Sequence, residues 1–370
     1  MKKIRVNIEG LISSLILQFF LYQIIKMSIG SGENFYTRFL LKIKSVLNSI
    51  FGLIPFSIGD CLYFLLGIFF VFCLFKGILL QIKKKKQKAS KYFVAILFTI
   101  NIFYCLFMLS FGLLYNSKQF VEFDKPEDNL YEADLKVVAN YLLNNCLELR
   151  KNVSTNKEGE FAIDTREMIT ALYKEQSSFF ETPEQHPNVK VSMYSSIMRK
   201  VGVAGYYNPF TGEAQFVEGY PDTSIPFTIA HEMGHQAGIA GEGEANFYSF
   251  YMGENSLNKE FQYSVKYKAL MFILREIYNS DSLYYKRISA NFSEGMKKDR
   301  EREIKFYSQS SNIGSDLFLY MNDTYLKSNN QEGVLAYSKV VKMIVNFYKY
   351  SYPSLFAEAK QSQLPINNTQ

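Results

Sequence analysis

The sequence predicts a mostly α-helical chain in two parts. An N-terminal three-helix transmembrane region occupies residues 1–116, and an extracytoplasmic α+β domain with a small sheet occupies residues 117–370. Three observations predict this division. Long apolar runs lie at about 10–29, 61–82 and 92–115, each near the length needed to cross a bilayer. Beyond them, apolar residues recur at helical spacing almost to the C-terminus. One stretch, 189–217, breaks that period with short β-prone segments around the turn-rich Asn208-Pro209-Phe210-Thr211-Gly212.

The first apolar run follows Lys2, Lys3 and Arg5 and has no small-x-small cleavage site behind it, so it reads as an uncleaved anchor. The third, Tyr92 to Tyr115, carries no charge. Lys83, Lys84, Lys85, Lys86, Lys88 and Lys91 fall between the second and third runs. By the positive-inside rule that loop and the N-terminus are cytoplasmic, which puts residues 30–60 and everything after Tyr115 outside. The expected localisation is therefore a multi-pass cell-membrane protein with its C-terminal domain extracytoplasmic. The same reading absorbs much of the net charge of +6, so no nucleic-acid partner is expected. Between the first two spans, Leu40, Leu41, Ile43, Val46, Leu47 and Ile50 have helical spacing mixed with Arg38, Lys42 and Lys44. They predict an amphipathic helix on the outer surface or packed beneath the outer domain.

In the outer part, Asp134–Leu149 and Thr165–Phe179 read as helices, and His186 sits in a Pro-containing break as a surface histidine. Ala214–Val217 reads as a short strand directly before the motif helix, either an ordinary packing strand or the edge strand at which an extended peptide can pair. Later helices are expected at Glu260–Tyr278, Asp281–Ser308, Asp316–Leu326 and Gly333–Phe347. The charged run Lys297–Glu303 reads as a solvated face. Cys61, Cys73 and Cys105 lie in apolar runs, which leaves Cys146 unable to form an internal disulfide in the outer domain.

The chemistry concentrates in Ile225–Phe247, which holds two of the three histidines. His231-Glu232-Met233-Gly234-His235 is an H-E-x-x-H pattern. On a helix the two imidazoles share a face and can grip one metal ion, and the intervening glutamate can take a proton from water. Gly238, Gly241 and Gly243 let the helix end just after His235 and the chain double back. A second helix starting near Gly241 would put Glu242 and Asn246 on one face, with Ala245 allowing close packing. Glu242 is then the expected third metal ligand, Glu244 its alternative, and Asn246 a hydrogen-bond partner for a ligand histidine. Along a continuous helix Glu242 would lie roughly 10 Å from His235, so a break near Gly238 is required. A tyrosine is a reasonable oxyanion donor, and Tyr325 and Tyr337 are possibilities that spacing does not separate.

The segment Glu242-Gly243-Glu244-Ala245-Asn246 resembles the second motif of the gluzincin metallopeptidases, with Asn for Asp and a shorter separation from H-E-x-x-H. In metzincins the third histidine would fall at Gly241, which cannot ligate. A narrower resemblance covers most of the chain. Pro55-Phe56-Ser57-Ile58-Gly59-Asp60, Tyr207-Asn208-Pro209-Phe210-Thr211-Gly212-Glu213-Ala214, the H-E-x-x-H stretch and the E-x-E-A-N-F segment look like those of an uncharacterised bacterial domain-of-unknown-function family of membrane-anchored, zincin-like proteins. That resemblance implies a zincin-like outer domain and a zinc metallopeptidase acting on a peptide or protein substrate. The alternative is a non-catalytic binding or assembly protein on the same scaffold.

Overall fold

A computed structural model describes residues 2–29, 35–117, 120, 123–124, 131–179, 188–310, 324 and 336–361. Helices dominate it, with one small mixed sheet. Helices α1 (Lys2–Ile29), α3 (Ile58–Ile82) and α4 (Lys86–Ser110) each contain a stretch long and apolar enough to cross a membrane. α4 packs against both α1 and α3. Asn101 of α4 accepts from Gln18 Nε2 (3.1 Å) and Ser14 Oγ (3.2 Å) of α1. Such hydrogen bonds hold apolar helices together where burial of apolar surface gives no advantage over lipid. The third apolar helix ends earlier than the apolar run: α4 stops at Ser110, and Gly112–Asn116 form a 3-10 turn.

Helix α2 (Phe35–Phe51) lies between the first two spans and carries its residues on three faces. Leu40, Lys44 and Asn48 are buried, while Phe35, Phe39, Ile43, Val46 and Ile50 are exposed beside an exposed polar strip of Arg38, Lys42 and Ser49. The expected apolar set thus divides, with Leu40 turned inward and Ile43, Val46 and Ile50 outward.

The sheet contains β1 (Val189–Val191), β2 (Gly205–Asn208) and β3 (Glu213–Phe216) in the order β1-β3-β2. β1 runs parallel to β3, and β2 forms an antiparallel hairpin with it. Gly212 closes the hairpin turn at φ +69°, and its N–H donates to Asn208 O (2.8 Å). The strand read at Ala214–Val217 is therefore the central one and not the edge. β3 is paired on both sides and buried throughout, and β2 takes the edge beside the H-E-x-x-H helix.

That helix, α8 (Ile225–Gln236), packs on β2 and β3, and α9 (Glu242–Glu254) folds back against it. α10 (Lys259–Ser280) runs through the core against α8, α9 and α5 (Glu132–Leu149). α6 (Thr165–Phe179) covers α8, and the short α7 (Ser195–Lys200) follows β1. The helix expected over Asp281–Ser308 is two, α11 (Ser282–Ala290) and α12 (Glu294–Ser310), with Ser293 Oγ receiving the Met296 N–H (3.3 Å) at the start of the second. α13 (Ala336–Ser351) and α14 (Ser354–Gln361) close the chain on α9 and α5. Most of the helix expected at Asp316–Leu326 lies outside the described residues, as does His186.

The charged run on α12 is not simply a solvated face. Asp299 and Glu303 are buried. Asp299 pairs with Arg150 (2.7 Å) and accepts from Tyr263 Oη (2.7 Å) and Phe161 N (2.7 Å). Glu303 accepts from Thr223 Oγ1 (2.8 Å), and Thr223 O accepts from Ser264 Oγ (2.7 Å). These bonds fix the segment that leads into α8.

Candidate metal centre at the end of the third apolar helix

Pro226 stands in the first turn of α8, where a missing N–H costs nothing. The helix ends in a glycine cap. Gly238 adopts φ +94°, its N–H donates to His235 O (3.1 Å), and the Ile239 N–H donates to Gly234 O (3.0 Å). This is the two-bond arrangement that a left-handed glycine permits. It also turns Ile239 O onto His235 Nδ1 at 2.6 Å. A carbonyl acceptor there keeps the proton on Nδ1 and leaves Nε2 as the free lone pair.

The break at Gly238 lets α9 begin at Glu242, with Gly241 as its N-cap. Ala245 is buried, and Gly234 lies so close to Tyr248 that a β-carbon would sit 2.8 Å from its ring. The two helices thereby bring Glu242 onto the histidine pair. Its carboxylate oxygens lie 3.3 Å from His231 Nε2 and 3.7 Å from His235 Nε2. The two imidazole rings are 4.7 Å apart and nearly perpendicular. Donors of His231, Glu232 and His235 also fall within 4.8 Å of one another. Glu244 points elsewhere, 3.6 Å from Lys339 Nζ. Asn246 lies next to His231 and favours its protonated form, although His231 Nδ1 has no well-formed hydrogen bond among the described residues. Tyr325 lies outside the described residues, as does the side chain of Tyr337.

Electrostatics at the site follow from burial and proximity. Burial pushes the Glu232 carboxyl up to about 8, and its Oε2 has no hydrogen-bond partner among the described residues. Burial takes His235 down to about 4. Burial also opposes protonation of His231, but the close polar contact with Glu242 and the charges of Glu232 and Glu242 outweigh it, and its pKa stands above the ordinary value. For Glu242 burial is the largest single influence and works against ionisation, but the two imidazoles together outweigh it and hold the carboxyl down at about 2.

Several neighbours escaped the sequence reading. Lys44 of α2 donates to His235 O (3.1 Å) and stands over the rings of Tyr207 (5.0 Å) and Phe111 (5.4 Å). Phe111 packs edge-on to His235 at 5.5 Å. Gly205, first residue of β2, leaves space for Glu232: a β-carbon there would meet Glu232 Oε1 at 2.8 Å. No spacing rule links residues 44, 111 and 205 to 235. Cys146 is buried in the core, and burial raises its thiol pKa, which does not suit a nucleophile.

The motifs shared with the resembling family find a structural reason on the far side of the sheet. Glu213 is fully buried and accepts from Ile58 N (3.0 Å), Gly59 N (2.5 Å), Ser57 Oγ (3.3 Å) and Thr211 Oγ1 (2.8 Å). It also pairs with Lys190 (2.5 Å), which donates to Phe51 O and Phe56 O. The carboxylate thus receives the first N–H groups of α3, a favourable place for negative charge. Next to it, Asp60 accepts from Met193 N (2.7 Å) and from Tyr206 Oη.

The family model described as "Protein of unknown function (DUF3810)" matches residues 35–345. The chain belongs to this family. The match includes α2, two of the three apolar helices, the sheet and the α8–α9 pair, so α2 and the ends of those two helices are part of the family's unit. Searches of curated proteins and of solved structures found no match.

Proposed function

We propose that the chain is a membrane-anchored, zinc-dependent metallopeptidase with a zincin-like outer domain, active on the extracytoplasmic side. The observation that carries this reading is the convergence of His231, His235 and Glu242. Ligands bound at 2.0–2.2 Å around a tetrahedral ion lie about 3.4 Å from one another. The Glu242 contacts of 3.3 and 3.7 Å to the two Nε2 atoms match that spacing better than a direct hydrogen bond near 2.9 Å. Two imidazoles and one carboxylate are a donor set that suits zinc and leaves one position open. The Ile239 carbonyl presents His235 Nε2 to the same point.

Zinc, when bound, supplies Lewis-acid activation of water and of the scissile carbonyl. The protein's own part is proton handling and orientation. Glu232 takes the proton released as water adds to the carbonyl carbon, and returns it to the leaving nitrogen as the C–N bond breaks. The products are a carboxylate and an amine, with no co-reactant but water. Burial, which raises its pKa above the ordinary carboxylate value, favours the half in which it holds the proton. β2, the edge strand beside Glu232, is the element on which an extended substrate would pair.

Glu232→Gln is the direct test of the base. It keeps the shape of the site, so zinc content should stay at the wild-type level while turnover falls by roughly 10²-fold or more. Unchanged turnover would refute the role of Glu232.

A further inference from the structure

The metal centre lies over a hundred residues beyond the last apolar run in sequence, which predicts hydrolysis in an outer domain rather than inside the bilayer and leaves its height above the membrane open. The structure sets it against the ends of two apolar helices. From Lys91 to Phe111 helix α4 advances roughly 30 Å, about the thickness of the hydrocarbon layer. With the lysines of the 83–91 loop at one boundary, Phe111 stands at the other. The His235 ring is 5.5 Å from that of Phe111. A second span end reaches the site from the other direction. Asp60, in the first turn of α3, is bonded by Tyr206, whose neighbour Gly205 touches the Glu232 carboxylate.

Helix α2 marks the same plane independently. Its inner face gives Lys44 to His235 O, and Tyr36 donates to Leu109 O near the end of α4. Its outer surface carries the exposed stripe of Phe35, Phe39, Ile43, Val46 and Ile50 beside Arg38 and Lys42. An apolar stripe alongside a cationic one is the pattern of a helix lying in the interfacial layer. Tyr36 of α2 and Phe107 of α4 are half-buried in one small apolar cluster with Phe111 and Ala240, which sets the stripe beside the end of an apolar helix whose outer surface is itself exposed and apolar. The bilayer is therefore its occupant.

We propose that this site works at the membrane surface and that its substrates are polypeptides anchored in the same membrane, cut next to the end of their spans. The substrate class rests on the peptidase reading; the placement does not. A soluble substrate would have to enter the interfacial layer, whereas a chain leaving the bilayer already runs past the metal donors. The reaction is the hydrolysis written above.

The two parts are tested separately on the full-length chain in phosphatidylcholine vesicles. The chain has no tryptophan, so an introduced one reports its own depth. Phe39→Trp, on the outer stripe, is compared with Tyr278→Trp at the exposed end of α10. Lipids brominated high on the acyl chain should quench the first roughly two-fold and leave the second nearly unchanged, since interfacial helices sit about 5–10 Å deep. Equal quenching at both positions would overturn the placement and the proposal with it. For the substrate class, a randomised segment is presented directly outside a single span and, separately, as a soluble peptide. Wild type, and not Glu232→Gln, should cut the anchored form at least ~10-fold faster, within about five residues of the span, a reach set by the thin interfacial layer. Equal cutting of the soluble form would overturn the proposal and leave the peptidase reading standing. Depth quenching as expected with neither form cut by zinc-loaded protein would overturn the peptidase reading, and the substrate class with it.

Discussion

Glu213→Ala should loosen the joint between the second span and the sheet. Both Glu213 and Lys190 are almost completely enclosed, and the carboxylate receives two backbone N–H groups and two hydroxyls besides the ammonium. Truncation leaves Lys190 as a buried cation with only the Phe51 and Phe56 carbonyls. Removing one partner of a buried pair costs about 3–5 kcal/mol, a large share of the 5–15 kcal/mol that stabilises a typical domain. At about 2–4 °C per kcal/mol, the apparent Tm should fall by roughly 10 °C. The assay is thermal unfolding of the full chain in detergent. Lys190→Met on top of Glu213→Ala should recover part of the loss, because the stranded charge is gone. A fall of less than about 3 °C, or no recovery in the double variant, would refute the claim that this pair locks span to sheet.

Two further perturbations probe the surroundings of the site. Gly205→Ala drives a β-carbon to 2.8 Å from Gln215 O, Glu232 Oε1 and Thr228 Cγ2. Overpacking of this kind costs about 1–3 kcal/mol, and a lowered apparent Tm together with lost turnover is the expected result. Lys44 carries a pH prediction. Burial pushes its ammonium down to about 7, against the hold of His235 O and two aromatic faces. Between about 7 and the ordinary lysine value near 10.4, the unfolded chain binds a proton that the folded chain lacks, so stability rises with pH across that window. The apparent Tm of wild type should therefore climb relative to that of Lys44→Met between pH 7 and 9.5, and parallel curves would contradict it.

The parts of this molecule legible in its sequence are those fixed by local chemistry. The three apolar runs follow from length and hydropathy, and the α8–α9 hairpin follows from Gly238 and the phase of Glu242 against His235. The same logic chose Glu242 over a continuous helix. What sequence could not supply was long-range. Whether β3 stood at the edge or inside the sheet was open, because pairing on both sides is decided by partners elsewhere in the chain. Lys44 and the acids of α12 looked solvated because charge on a helix is usually exposed; their buried acceptors and donors come from His235, Arg150 and Thr223, far away in sequence. The nearness of the site to the end of α4 was hidden for the same reason. Sequence separation says little about distance from the apolar helices when α2 and the end of α4 pack onto α8.

A cut at residue 116 would separate Lys44 and Phe111 from His235, so the decisive measurement uses the whole chain. It is the zinc content of full-length protein purified in detergent, beside His231→Ala and Glu232→Gln. Wild type should hold about one zinc per chain, His231→Ala should lose it and Glu232→Gln should keep it, as expected for a site with two histidines and one carboxylate. Folded wild-type protein that holds no zinc after incubation with the metal, or that holds it equally well without His231, would contradict the account.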